Sequence, residues 1–335
     1  MTSISLIGTN TAQATRLNSL NFQLQDLQRQ LATQRENETL SGFGSQAFRI
    51  QDLRAEADRL NVFQENISRV TTRVDLILNA TNEVSRLAQE VEESILIQTR
   101  EGDVDVRTIN DIAQANLRFF NDLLNTQDGA RFLLAGTDTE NAPFESLTNL
   151  QLRFQNEISD FLDGTQTVND LITDINNLTP TDLGLSASLS SASGVSTQID
   201  DNVVIDYTAQ ADEEGFLNIL RGVALAQALT QPDPAVDVAT QAEFQQVLDE
   251  SVRLIREGVD QLGDINSRLG AEFSLIENIR TNNENDLRVA EIAISELEDV
   301  DTTDVVVQLQ ALQTQLSASF QATRIVSELS LVNFI

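Results

Sequence analysis

The 335-residue sequence contains no cysteine, no histidine and no tryptophan, and it has only one tyrosine and four prolines. Without Cys and His, the chain offers no zinc site of the usual kind, no Ser-His-Asp or Cys-His nucleophile pair and no disulfide. It also has neither a glycine-rich phosphate loop nor the spacing of an EF-hand. Asp103 and Asp105 lie close together, but a solvated turn accounts for them. We therefore predict a protein that is not an enzyme and that holds no cofactor or metal.

Acidic residues strongly outnumber basic ones. The chain has 52 Asp and Glu against 21 basic residues, all of them Arg, and its formal net charge is −31. Such a chain is repelled by nucleic-acid phosphates and by anionic membrane surfaces. No run of 18 apolar residues predicts a membrane span, and the start MTSISLIGTN lacks the features of a secretory signal peptide. We predict no nucleic-acid partner and no membrane insertion. These features fit a cytosolic protein, or one that leaves the cell by another route.

Both ends of the sequence carry a narrow apolar stripe with spacings of three and four residues, which predicts a helix that packs on a partner helix. The N-terminal stripe consists of Leu17, Leu20, Leu24, Leu27 and Leu31. The C-terminal stripe consists of Val305, Leu309, Leu312, Leu316 and Phe320, and the final ELSLVNFI adds Leu329, Leu331 and Phe334. Residues 37–46, NETLSGFGSQ, should interrupt the first helix. We expect the two stripes to pack on each other and then on neighbouring copies.

Two longer heptad patterns lie inside these ends and predict coiled-coil-like helices. The first comprises Phe63, Ile67, Val70, Val74, Ile77, Thr81, Val84, Ala88, Val91 and Ile95. The second comprises Leu248, Val252, Ile255, Val259 and Leu262, and it continues with Leu269, Phe273 and Ile276 after the polar Asn266. A further helix is expected from about Asp105 to Leu124. Intramolecular packing should be the main role of these two patterns, and for all four stripes the alternative is the core of one ordinary helical bundle.

The middle of the chain has a mixed character. Residues 131–144 predict an extended segment with a turn at Gly136, residues 203–209 a strand, and residues 216–229 a short helix before two prolines. A serine-rich stretch over 183–198 is either a flexible loop or an acceptor of O-linked sugars, with candidate sites at Ser188, Ser190, Ser191 and Ser193. The predicted fold is mainly α: a long antiparallel helical rod or coiled coil from the N- and C-terminal segments, with a small mixed α/β variable region in the middle.

The C-terminal run 295–335 resembles the C-terminal signature of the bacterial flagellin family. The matching positions are Ser295, Glu298, Asp299, Asp301, Leu316, Ser319, Phe320, Ser330, Leu331 and Ile335. The N-terminal leucine helix and the stretch INSRLGAEFSLIENIRTNNENDL over 265–287 are similar to the same family. That family includes the filament flagellins and the protein of the hook–filament junction, hook-associated protein 3.

The resemblance implies a layout in which the terminal helices line a channel in a helical homopolymer and the longer helices form the next shell. The implied segments are an N-terminal inner-core helix at 1–40, N-terminal rod helices at 41–135, an outward-facing mixed region at 136–235, a C-terminal rod helix at 236–294 and a C-terminal inner-core helix at 295–335. The implied partners are other copies of the chain, hook-associated and cap proteins, and an export chaperone. The implied location is the extracellular flagellum, reached without a cleaved signal peptide.

The resemblance leaves two placements within the family. Residues 130–144, ARFLLAGTDTENAPF, are similar to the junction protein, and residues 40–57 depart from the usual filament pattern, although some divergent filament flagellins have junction-like sequences. We expect a filament subunit for motility, with the junction protein as the alternative. Outside the family, the alternatives are a coiled-coil interaction protein and an enzyme that uses carboxylates within 136–235.

Overall fold

The computed structural model describes residues 2–101 and 104–332, with side chains described for residues 11, 12, 14–99 and 104–325. The helices are α1 Thr2–Thr33, α2 Ala47–Glu101, α3 Val106–Leu124, α4 Leu147–Leu162, α5 Val168–Asn176, α6 Glu214–Ala228, α7 Gln241–Glu298 and α8 Thr302–Val332. The strands are β1 Gln127–Asp128, β2 Arg131–Phe132, β3 Ser196–Asp200 and β4 Val203–Asp206, and 3₁₀ turns cover Leu40–Gln46 and Leu189–Ser191. The strands form two separate antiparallel hairpins, β1–β2 and β3–β4. The predicted mainly α fold with a small mixed region is confirmed.

The chain divides into two compact units. One consists of Met1–Asn61 and Glu284–Ile335, and the other of Val62–Asn283. The long helices α2 and α7, of 55 and 58 residues, each contribute to both units. Neither helix contains proline, the residue that breaks helices most strongly, and α2 also contains no glycine.

In the unit formed by 62–283, α2 and α7 run antiparallel. Gln64 near the start of this part of α2 donates to the carbonyl oxygen of Arg280 at 3.1 Å, and Glu92 near its end lies 2.5 Å from Arg256. The heptad side chains of both helices face a common apolar core. No helix in the described ranges has the length and apolarity needed to cross a bilayer.

Helix α6 lies at the centre of this unit, and 13 of its 15 residues are buried. It contacts α3 and α4, and it approaches α7 so closely that the Ser251 hydroxyl donates to the carbonyl oxygen of Gly222 at 2.8 Å. The region 136–235, expected to face outward, therefore also contributes to the core, with Phe144, Phe154 and Phe216 fully buried.

Several predicted elements of the middle region are confirmed: α3, which begins after an Asp105 cap, α6, and strand β4. The turn at Gly136 is confirmed by its left-handed φ of 59°. Helices α4 and α5 were not predicted. Phe154 and Ile158 lie on the buried face of α4, and α5 begins with a Thr167–Asp170 capping box.

The unit formed by 1–61 and 284–335 contains two antiparallel helix pairs. In the first, α1 packs on α8, which brings Leu20 against Leu312 and Leu316. In the second, the start of α2 lies beside the end of α7, where an Arg54–Glu298 ion pair joins them. The interruption predicted over 37–46 is confirmed, because α1 ends at Thr33 and a 3₁₀ turn follows.

Candidate assembly surface

The predicted interface leucines lie along the α1–α8 pair, and part of each stripe is used within the chain. Leu20, Leu312 and Leu316 form a buried cluster. The half-buried Leu17, Leu24 and Leu27 pack against this cluster. Leu309 is also half-buried. Leu31 and Phe320 are exposed at 37% and 57%. The side chains of Leu329, Leu331 and Phe334 lie outside the described residues.

The apolar contact between α1 and α8 is small for helices of 32 and 31 residues. Among the described side chains, three leucines form its buried core. Each fully buried leucine contributes about 1.5–3 kcal/mol, which is little against the entropy of ordering two helices of this length. The pair would therefore gain substantial stability from covering more of its surface.

The outer surface of the pair carries large exposed apolar side chains. Phe22 is 72% exposed on α1, and Phe320, Val307 and Ile325 are 57–58% exposed on α8. Because consecutive helical residues are about 100° apart, Phe22 points roughly 200° away from Leu20 and cannot join the intrachain cluster. These side chains are available to a second molecule, and exposed apolar surface of this kind often marks an interaction site.

The two terminal helices are also poor in charge. There are three charged residues in the 32 positions of α1 and three in the 31 of α8. By contrast, α2 has 17 in 55 positions and α7 has 18 in 58. Half of the α1 residues are Ser, Thr, Asn or Gln. Cores of protein interfaces are depleted of charged residues, because charge is costly to desolvate, so this composition suits a surface that becomes covered.

The six charges of the pair cancel. The cations are Arg16, Arg29 and Arg324, and the anions are Asp26, Asp304 and Glu328. The whole net charge of −31 therefore lies outside α1 and α8. Contacts between copies through these two helices meet no net charge repulsion of their own.

Helix α8 begins at a well-defined cap. Oδ1 of Asp301 accepts hydrogen bonds from the backbone N–H of Thr303 at 2.8 Å and from that of Asp304 at 3.4 Å. Hydrogen bonds from the Thr303 backbone and side chain, and then from the Asp304 backbone, hold the pKa of Asp301 below its usual range. The ionised cap complements the positive end of the helix dipole, and it defines where α8 starts.

The structure places the predicted rod-core residues inside the chain. The buried ones are Phe63, Ile67, Val70, Val74, Ile77, Val84, Val91, Leu248, Val252, Ile255 and Leu262. Val259 is half-buried against the same core. The two polar positions within these heptads meet, since Thr81 hydrogen-bonds to Asn266 across 185 residues of sequence. Sequence spacing could not show this pairing, because it depends on how the two helices are aligned.

The serine candidates for glycosylation lie around the second 3₁₀ turn. Ser190, Ser191 and Ser193 are exposed, whereas Ser188 is half-buried at the start of the turn. Accessible hydroxyls fit modification, which stays a prediction. In the part of the chain that the structure describes, no group of three or more Asp or Glu side chains could hold a metal ion.

The fold and this surface define a mainly α protein in which the N- and C-terminal helices form an antiparallel pair. Residues 247–335, from within α7 through the C-terminal end, match the family model described as the bacterial flagellin C-terminal helical region. The resemblance to the flagellin family found in the sequence is therefore confirmed.

The fold resembles that of a solved structure. A protein from Vibrio parahaemolyticus, whose structure is described as that of a flagellar hook-associated protein, aligns at a TM-score of 0.53 and 13% identity. That alignment covers 77% of this chain and all of the Vibrio chain. FlgL from Bacillus cereus aligns at a TM-score of 0.47 and 15% identity, over 75% of this chain and 98% of that chain. No curated protein sequence matches the chain.

Proposed function

We propose that this chain is a structural subunit of the bacterial flagellum that assembles with copies of itself through α1 and α8, and that it is not an enzyme. The observation that carries the proposal is a charge-balanced terminal helix pair with exposed aromatic side chains in a chain of net charge −31. The match to the flagellin C-terminal region, which includes α8, supports it. On this proposal the chain works outside the cell, and its partners are itself, hook-associated and cap proteins, and an export chaperone.

Two placements within the flagellum have support. The flagellin match favours the filament, where the chain would serve motility. The fold shared with a hook-associated protein favours the hook–filament junction, and so does the sequence of residues 130–144. A coiled-coil interaction protein outside the flagellum is the remaining candidate, and it would not polymerise by itself.

Electron microscopy of the purified full chain, after seeding or salting out, tests the proposal. The informative variant carries Phe22→Gln and Phe320→Gln, which remove two exposed rings from α1 and α8. The matched control is Phe119→Gln, because Phe119 on α3 is similarly exposed at 56%. Thermal unfolding by circular dichroism should be the same for all three proteins, since no buried side chain changes.

The wild-type chain and the Phe119→Gln control should form ordered assemblies, and the double variant should form them only at much higher concentration. Equal assembly of the double variant and the control would contradict the role of the α1–α8 surface. Long tubular filaments from the wild-type chain would place it in the filament. A short layer that adds to isolated hooks and then stops would place it at the junction. A chain that stays monomeric under all these conditions would favour the non-flagellar candidate.

A further inference from the structure

The loop that follows α1 is fixed to the end of α7 by backbone hydrogen bonds. The Glu36 N–H donates to the carbonyl oxygen of Glu298 at 2.8 Å, and the Val300 N–H donates to that of Gln34 at 3.1 Å. Arg35 and Asp299 thereby pair as a short antiparallel bridge. The two segments that connect the α1–α8 pair to α2 and α7 are thus held against each other.

A buried carboxylate lies at this crossing. Glu298, the last residue of α7, is 2% exposed. Its Oε1 lies 2.6 Å from Nη2 of Arg54 on α2, and its Oε2 lies 3.8 Å from Nη2 of Arg35 in the loop after α1. Among the described residues, Oε1 receives no aligned hydrogen bond, so its contact with Arg54 is electrostatic. A carboxylate this buried is stable only beside positive charge, so Glu298 requires both arginines to stay where they are.

The same loop is also fixed to α1. The carbonyl oxygen of Glu36 accepts hydrogen bonds from Nη2 of Arg29 at 3.0 Å and from Nε2 of Gln30 at 3.4 Å. Arg29 also forms an ion pair with Asp26, at 2.6 Å. Gln34 adopts a left-handed φ of 58°, which is unfavourable for a residue with a side chain. The loop therefore keeps this conformation because surrounding contacts hold it, and Glu298 supplies the only buried charge among them.

We propose that Glu298 is a positioning residue: its carboxylate, through Arg35 and Arg54, fixes the direction of the α1–α8 pair relative to the start of α2 and the end of α7. Along the chain, α1 is connected to α2 by residues 34–46, which include a 3₁₀ turn, and α7 is connected to α8 by residues 299–301. Without the Glu298 contact, residues 34–39 and 299–301 could bend as hinges. A repeating assembly needs the same direction in every copy, and fixing it beforehand lowers the entropic cost of association. That a fixed direction assists assembly rests on the proposed function.

The test uses Glu298→Gln in the full chain, with Glu296→Gln as the matched control, because Glu296 lies on the same helix but is exposed. Trypsin cleavage after Arg35, followed by mass spectrometry on the unassembled protein, reports directly on the loop. The chain contains no lysine, so trypsin cleaves only at arginines, which simplifies the fragment pattern. We expect Glu298→Gln to speed cleavage at Arg35 by about tenfold or more, and the control to leave it unchanged.

Two further measurements separate positioning from loss of the fold. The near-ultraviolet signal of Tyr207, the only tyrosine and a buried residue of the other unit, should be unchanged by Glu298→Gln. Assembly of Glu298→Gln should need a higher protein concentration than assembly of the wild type.

The positioning role would be overturned if Glu298→Gln were cleaved at Arg35 at the same rate as the wild type. It would also be overturned if the Glu296→Gln control were cleaved as fast as Glu298→Gln. The cleavage test does not require polymerisation, so its failure can be told apart from failure of the proposed function. A wild-type chain that never self-associates would refute the proposed function, while protection of Arg35 would still decide whether Glu298 holds the loop.

Discussion

The contact between Thr81 and Asn266 should set the alignment of α2 against α7. Thr81 is fully buried in the interface between these helices. Its hydroxyl hydrogen-bonds to Oδ1 of Asn266 and lies 3.0 Å from the carbonyl oxygen of Ile77. Nδ2 of Asn266 in turn donates to Oδ1 of Asn82 at 3.0 Å. Polar pairs inside an otherwise apolar helix interface commonly specify register, because any shift leaves them buried without partners.

The substitution Thr81→Val keeps the shape of the side chain and removes only the hydroxyl, so Asn266 loses its partner. We expect the free energy of unfolding to fall by about 1–2 kcal/mol. This is the lower part of the range for an unsatisfied buried group, because Asn266 is half-buried and water can reach it. Replacing both groups, as Thr81→Val with Asn266→Leu, should cost less than the single changes added together. The double-mutant cycle should give a coupling of about 1 kcal/mol.

Urea unfolding followed by far-ultraviolet circular dichroism measures these differences. Thr72→Val is the matched control, because Thr72 lies on the exposed side of α2 and its hydroxyl bonds only to the Ser68 carbonyl oxygen of its own helix, at 3.0 Å. Additive single substitutions, or a Thr81→Val effect no larger than that of Thr72→Val, would refute the argument for a register-setting pair.

Four other outcomes are expected. Gly222→Ala should destabilise by about 1–3 kcal/mol, because its Cβ would lie 2.9 Å from a backbone oxygen of α7. Gly270→Ala, with open space around its Cβ, should stabilise by about 0.5–1 kcal/mol; equal urea midpoints would contradict this. Burial raises the pKa of Glu250, but hydrogen bonds from Arg253 and Asn176 outweigh it and hold that pKa below 4.5. The ionised Glu250 should therefore stabilise the fold fully above pH 4.5, and this contribution should be lost as the pH falls further. The urea unfolding midpoints of the wild type and of Glu250→Gln should therefore approach each other as the pH is lowered from about 6 to about 3. Assembly should strengthen with ionic strength or divalent cations, because a net charge of −31 must be screened; light scattering that is insensitive to salt would contradict this.

The sequence alone was enough to predict the long helices. Their apolar residues repeat with a local period, and that period is readable without knowing what each helix packs against. Helix breaks are equally local, which is why the start of α3 near Asp105 and the interruption over 37–46 were predicted. The resemblance of residues 295–335 to flagellins was also readable in the sequence.

Other features depended on the tertiary structure. Asn266 interrupts its heptad when considered alone, and only the alignment of α7 on α2 provides it with Thr81 as a partner. The sequence marks Glu298 only as a position shared with the flagellin signature, whereas in the fold it becomes a buried charge between two arginines. The exposure of Phe22 follows from which face of α1 packs on α8. The period of a helix is encoded along the chain, whereas these contacts join residues that only the packing of one helix on another brings together.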